Sequence, residues 1–256
     1  MPDILKSIRD AGIVGAGGAG FPTHLKLALA ADTVIANGVE CEPLLGHDRA
    51  RMRRFPTEML AGMQLAAQAV GAGKTAIALK KKYAEEKKAL KSEGNNLDFL
   101  EMKDYYPAGD EVEIVREYSS QTVPEAGIPP EIDIVVQNVE TLINIAYAAE
   151  GIPVTHRFLS VVGEVRQPSV VRVPLGTSLQ DAALHCGGAE LEDVVYYTGG
   201  AMMGEIAAPE DPVTKITTGI FLLPPEHDLV RTRSLPLENI KRQAESACTS
   251  CRMCTD

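Results

Sequence analysis

Apolar positions along the chain alternate between two periodicities. Residues 57–70 carry apolar side chains at 59, 60, 63, 66, 67 and 70, the spacing of an amphipathic helix. The segment 139–146 repeats the pattern through Val139, Leu142, Ile143 and Ala146, predicting a helix over 138–149. Short apolar runs at 33–37, 75–79 and 132–136 read as buried strands between these helices. A short helix is expected over 3–11, a charged lysine-rich helix over 80–92, and a loop over 38–55. Strands alternating with helices through residues 30–150 predict a layered α/β domain over 1–153.

The texture changes near Pro153. β-rich segments at 158–162 and 169–173 flank a turn. Ser178 opens a helix with Asp181 placed as a capping partner, and strands are expected at 193–197 and 217–222. This order predicts a small α+β module of β-grasp type over 154–226. Residues 224–236, with three prolines, read as a linker, and 237–247 as a final helix within a segment 227–256 that ends in cysteines.

The net charge of −10 argues against a nucleic-acid or anionic-membrane binder. No apolar run approaches the roughly 18 residues of a membrane helix. Without a signal-peptide layout at the N-terminus, a cytoplasmic location is the expectation. Aromatic residues make up 5% and Trp is absent, so each Phe or Tyr beside a glycine loop carries weight.

Four segments hold candidate chemistry. Gly15-Ala16-Gly17-Gly18-Ala19-Gly20 satisfies G-x-G-x-x-G but follows helix or coil rather than the strand of a dinucleotide fingerprint. Such a loop still lets its backbone approach a ring or phosphate, and Phe21-Pro22 stiffens it. Lys26, six residues on, places a cation nearby. Asn37-Gly38-Val39-Glu40-Cys41-Glu42-Pro43 follows a strand, where open α/β sheets bind ligands; Glu40 and Glu42 suit ribose hydroxyls or an amide rather than a phosphate. Tyr106-Pro107-Ala108-Gly109-Asp110-Glu111 precedes a helix, and Gln137-Asn138-Val139-Glu140-Thr141 marks the next strand-to-helix junction. Read singly, each is as compatible with a capped turn as with a ligand site. Gly71-Ala72-Gly73-Lys74-Thr75 imitates a P-loop end, but Gln68 stands where the first glycine belongs and a helix feeds a strand.

Cys248, Cys251 and Cys254 form C-x-x-C-x-x-C, three-quarters of an iron–sulfur run whose fourth Cys falls at position 258, past residue 256. The chain is thus expected to be a fragment cut within that motif. Zinc is the alternative, with no His at ligand spacing. Cys186 reads as a buried thiol at a helix end. The histidines at 24, 47, 156, 185 and 227 show no ligand spacing.

Together, GAGGAGFPTHLK at 15–26, NGVECEP at 37–43, YPAGDE at 106–111, QNVETL at 137–142 and GGAMMG at 199–204 resemble the flavin-binding electron-input subunits of respiratory complex I and Rnf complexes. The similarity is greatest to the cobalamin reductases of propanediol-utilisation microcompartments. It implies an FMN-binding α/β domain, an SLBB-type β-grasp module and a following 4Fe-4S domain. It implies an FMN site at Gly15, Gly17, Gly18, Lys26, Asn37, Tyr106, Gly109, Gln137, Asn138 and Thr141. Phe21 would stack on NADH, with Glu40, Glu42 and Glu111 near that pocket. Ala16, Val39 and Gln137 depart from the Arg, Asp and Asn of the complex I subunit. The implied activity passes electrons from NADH, through flavin and iron–sulfur clusters, to a corrinoid or corrinoid enzyme, with an adenosyltransferase or a microcompartment shell as further partners. The competing class is a non-catalytic adaptor that docks redox partners through the β-grasp module. A plain Rossmann dehydrogenase leaves the cysteines and residues 158–223 unexplained.

Overall fold

A computed structural model describes residues 3–124 and 127–251. The first half runs α1 (Ile4–Asp10), α2 (Thr23–Lys26), β1 (Thr33–Asn37), α3 (His47–Arg54), α4 (Pro56–Val70), β2 (Lys74–Lys80), α5 (Ala84–Glu93), β3 (Phe99–Met102), α6 (Glu111–Ser119), β4 (Ile134–Asn138) and α7 (Val139–Ala149). The second runs β5 (His156–Gly163), β6 (Ser169–Pro174), α8 (Leu179–His185), β7 (Val195–Thr198), β8 (Glu205–Ala207), β9 (Gly219–Leu223), α9 (Asp228–Arg233) and α10 (Leu237–Ala247).

Strands β1–β4 form a parallel sheet in the order β3-β2-β1-β4. β1 and β4 are buried on both faces, as parallel strands between helical layers require. The chain leaves β1 toward β2 and β3, then returns to the other side of β1 for β4, so the strand order reverses between β1 and β4. Their last residues, Asn37 and Asn138, are register partners. Helices α4 and α7 pack so closely that a Cβ on Gly62 would lie 1.8 Å from the Leu142 carbonyl oxygen. Gly71 then closes α4 in the left-handed region at φ +77, and Lys74 opens β2. The apparent P-loop is therefore a helix stop followed by a strand.

The second sheet is mixed, in the order β6-β5-β9-β7-β8. Helix α8 covers one face through Leu179, Ala182, Ala183 and Cys186, which pack with Leu159, Val161, Ile220 and Leu222. One helix across a mixed sheet is the expected β-grasp arrangement. Ser178 caps α8 by accepting from the Asp181 N–H at 3.0 Å.

Several expectations are corrected. Residues 47–54, expected in a loop, form α3; its sequence HDRARMRR has one strongly apolar residue, yet His47, Asp48, Arg51 and Met52 are buried. The expected linker 224–236 contains α9. The strand expected at 132–136 begins at Ile134, after a 3-10 turn Pro129–Ile132, and runs to Asn138, so Gln137 and Asn138 belong to the strand. The charged helix expected from residue 80 begins at Ala84, because β2 continues to Lys80. β3, which is apolar at Phe99, Leu100 and Met102 but only four residues long, and the three-residue β8 are additions.

Candidate functional site

The strand order reverses at the carboxyl ends of β1 and β4, the general ligand position of open α/β sheets. The glycine loop folds over this end. Its base closes through a bridge between Val14 and Pro22 and a hydrogen bond from the Gly15 N–H to the Phe21 carbonyl at 2.8 Å. Gly18 and Gly20 have φ of +112 and +68, which side chains rarely tolerate. The N–H groups of Gly17, Gly18 and Ala19 have no hydrogen-bond partner among the described residues. Nothing lies within 4 Å of the Cβ position of Gly18.

The four sequence segments meet in a closed ring of contacts. The Ala16 N–H donates to Thr141 Oγ1 at 3.0 Å, and the Cβ position of Gly17 lies 3.7 Å from Asn138 Cβ, joining the glycine loop to the head of α7. Asn37 Nδ2 donates to the Gly109 carbonyl at 2.8 Å, joining β1 to the tyrosine loop. Lys26 Nζ reaches the two Glu111 carboxylate oxygens at 2.6 and 2.8 Å, joining that loop back to α2. The Asn37–Asn138 register completes the ring. Gly109 has little room to be larger: a Cβ there would sit 3.0 Å from Cys41 Sγ, which would have to give way. Phe21 and Tyr106 stand exposed, whereas Ala16 and Val39, two departures from the complex I pattern, are buried.

Gln137 differs from its neighbours. It is buried, and its Nε2 has no hydrogen-bond partner. Asn138 is committed: Oδ1 caps α7 through the Glu140 N–H, and Nδ2 donates to Asp48 Oδ2 at 2.8 Å.

The acids depart from expectation. Glu40 and Glu42, expected to accept from a ribose or amide, are engaged within the protein. The Glu40 carboxylate accepts the backbone N–H groups of Asp48 and Arg49 at 2.9 and 3.3 Å, capping α3. Glu42 accepts from the N–H groups of Met202 and Met203 at 2.8 and 3.1 Å, locking the GGAMMG loop of the second module onto the first. Glu111, with 42% of its side chain exposed, pairs with Lys26.

A buried ionic cluster behind the ring escapes the sequence reading. Arg51 Nη1 donates to Asp48 Oδ1 at 3.0 Å; Nη2 donates to the Phe158 carbonyl and lies 2.7 Å from Glu140 Oε2. Arg157 pairs with the same Glu140 oxygen, donates Nε to the Thr217 carbonyl and Nη2 to the Ala16 carbonyl, both at 2.7 Å. Two guanidiniums thus face two carboxylates across the module boundary. Burial lowers Arg51 to about 10 and Arg157 to about 9, which leaves both charged at neutral pH. Burial also lowers His47 to about 3, so its ring is neutral. Burial and the neighbouring Asp48 raise Glu40 to about 7. Ligand-type atoms of Glu40, His47 and Asp48 fall within 4.8 Å of one another. With Arg51 already supplying the counter-charge to Asp48, this group is a compensated ion cluster. The only hint in the sequence is Glu140 within the QNVETL segment; Arg51 sits in what reads as a loop.

Residues 8–147, more than half of the chain, match the Nuo51 FMN-binding domain. The chain belongs to that family. It is a family of FMN-binding electron-transfer oxidoreductases. Residues 158–205 match the SLBB domain. Cobalamin reductase PduS of Salmonella typhimurium is 40% identical over 259 residues, covering 99% of this chain and 57% of its own length. A component of the proton-translocating ferredoxin:NAD(+) oxidoreductase complex of Clostridium ljungdahlii is 33% identical over 263 residues, covering 99% of this chain and 55% of its own. The NAD+-reducing NiFe hydrogenase in its H2-reduced state superposes with a TM-score of 0.76 at 25% identity, over 89% of this chain and 48% of that one. The chain therefore spans about half the length of the relatives it matches.

The residues present fit a flavin mononucleotide. Three successive unpaired N–H groups suit an anionic oxygen or a ring edge, the Gly18 position is open, and the orphaned Gln137 amide offers a buried donor. Cys248 lies exposed just after α10 and Cys251 is exposed near it, while Cys254 lies outside the described residues. No helix among the described residues is long and apolar enough to cross a membrane.

Proposed function

We propose that this chain carries the FMN site of a reductase that takes electrons from NADH and delivers them, by way of 4Fe-4S clusters, to cobalamin. The observation that carries the reading is the closed ring of Gly17, Asn138, Asn37, Gly109, Glu111 and Lys26 around three unpaired backbone N–H groups at the strand-order reversal. Gly15, Gly17, Gly18 and Gly109 let the backbone lie close to the cofactor. Lys26 places a cation beside it, Gln137 supplies a donor, and Asn37, Asn138 and Thr141 fix the segments that surround it. Tyr106 and Phe21 are both exposed; Tyr106 would contact the flavin and Phe21 would stack on the nicotinamide. When bound, the flavin accepts a hydride and releases two single electrons. Cys248, Cys251 and Cys254 would begin the ligand set of a cluster that receives them.

The choice of cobalamin as acceptor is supported by the PduS relatives at 40 and 41% identity. On that reading the protein works with a corrinoid enzyme or adenosyltransferase in the cytoplasm, inside a microcompartment. The second reading is an Rnf-type subunit exchanging electrons with ferredoxin, supported by the 33% identity that spans 99% of the chain. Anaerobic spectroscopy of the full-length protein separates them. NADH is expected to bleach the flavin band and then reduce added cob(II)alamin. Flavin reduced by ferredoxin and inert toward cobalamin would favour the Rnf reading, and a purified protein that takes up no flavin would end both.

A further inference from the structure

A groove of about 670 Å³ opens between the two modules, and none of the flavin-candidate residues lines it. Its volume falls within the range of small-ligand sites. Phe55, at the end of α3, meets Phe158 of β5 edge to face, with centroids 5.6 Å apart. Ile143, Tyr147 and Val154 extend this apolar wall.

Three guanidiniums border the same space: Arg51, Arg54 and Arg172. Arg51 is 1% exposed and places both terminal nitrogens on internal partners, yet its Nε has none. Arg54 is exposed and faces the Phe55 ring, 5.9 Å away. Arg172 is exposed and has no ion pair among the described residues. The one acid in the lining, Glu140, is already held by Arg51 and Arg157. The lining therefore carries excess positive charge in a protein whose net charge is −10. Aromatic walls beside unpaired guanidiniums attract a ligand that is apolar at one end and anionic at the other.

We propose that this groove binds a small amphipathic anion: a planar apolar body carrying a phosphate or carboxylate, its ring against Phe55, Phe158 and Tyr147 and its charge between Arg54 and Arg172. Such a ligand would lie behind the glycine loop, separated from it by the Glu140–Arg157 pair.

Calorimetry on the full-length, flavin-loaded protein tests this with 8-anilinonaphthalene-1-sulfonate as probe. One saturable site is expected. The Arg54→Gln, Arg172→Gln double variant should weaken the probe at least tenfold, and Ile152→Glu, an exposed change at the groove, should abolish binding; neither should alter flavin content. Uncharged N-phenyl-1-naphthylamine should bind more weakly than the sulfonate and ignore the arginine changes. Displacement by AMP assigns a phosphate head, and displacement by benzoate a carboxylate. Non-saturable uptake, failure of both competitors, or an affinity unchanged in the double variant overturns the proposal.

Discussion

Arg157, on β5 of the second module, donates a hydrogen bond to the carbonyl of Ala16, inside the glycine loop of the first, at 2.7 Å. The opposite face of that loop is fixed by the Ala16 N–H on Thr141. The β-grasp module thus helps set the backbone that the cofactor would touch. Arg157→Met is expected to lower FMN affinity about 10- to 100-fold, the range of a charged hydrogen bond. It should also cost about 3–5 kcal/mol of stability, because Glu140 loses a buried partner. Adding Glu140→Gln removes that uncompensated charge and should recover much of the stability while affinity stays low. Urea unfolding and flavin titration read the two effects separately. Full affinity in the double variant would show that the loop is held without Arg157.

Glu40 and His47 make opposing contributions to stability against pH. Glu40 is raised to about 7 by burial and Asp48, so folding favours its protonated form. Its contribution is complete at low pH and is lost as pH rises from the unfolded value, 4.5, through about 7. His47 is lowered to about 3 by burial, so folding favours its neutral form. Its contribution is present above 6.5 and is lost as pH falls toward 3. Between 4.5 and 6.5 the two slopes oppose each other. Glu40→Gln should therefore make stability rise more steeply with pH across that window, and His47→Asn should make it fall. Denaturant midpoints between pH 4 and 8 check both signs, and parallel curves for the two variants would refute the assignment.

The parts of this molecule stabilised by apolar burial were readable from the chain; those stabilised by charge were not. β1 and α4 display their core faces as apolar runs or stripes, and their bounds fall within one residue of the expected ones. α3 buries His47, Asp48 and Arg51, so hydrophobic periodicity has nothing to detect. β3, an edge strand of four residues, is apolar at three of them but too short for a periodicity to register. The glycine, tyrosine and glutamine segments were visible as motifs, but Glu40 and Glu42 looked like ligand acceptors. Only the folded chain shows their oxygens on the backbone of α3 and of the Met202 loop. Sequence spacing cannot distinguish a carboxylate aimed at a ligand from one capping its own fold.

Gln137 separates binding from stability. Its Nε2 is buried and lacks a partner, which costs free energy in the unliganded protein. Gln137→Leu keeps similar volume and removes that donor. The expected result is unchanged or slightly higher thermal stability together with roughly tenfold weaker FMN binding. Scanning calorimetry of the flavin-free protein and a flavin titration provide the comparison. Intact flavin affinity would remove Gln137 from the site.

Lys26 and Glu111 should move the flavin potential in opposite directions. The Lys26 ammonium is largely buried, and Glu111 partly neutralises it at 2.6 Å. A nearby cation stabilises reduced, anionic flavin, by about 1–2 kcal/mol at an effective dielectric near 20. For a two-electron couple that is roughly 20–40 mV. Lys26→Met should make the bound flavin harder to reduce by this amount. Glu111→Gln lifts the counter-charge from Lys26 and should make reduction easier. Lys26→Arg keeps the charge and should retain most of the native potential. Spectroelectrochemical titration of the three variants reads the signs directly. If Lys26→Met and Asn138→Ala together leave both flavin potential and electron transfer unchanged, the ring of segments around β1 and β4 is a docking scaffold rather than a redox site.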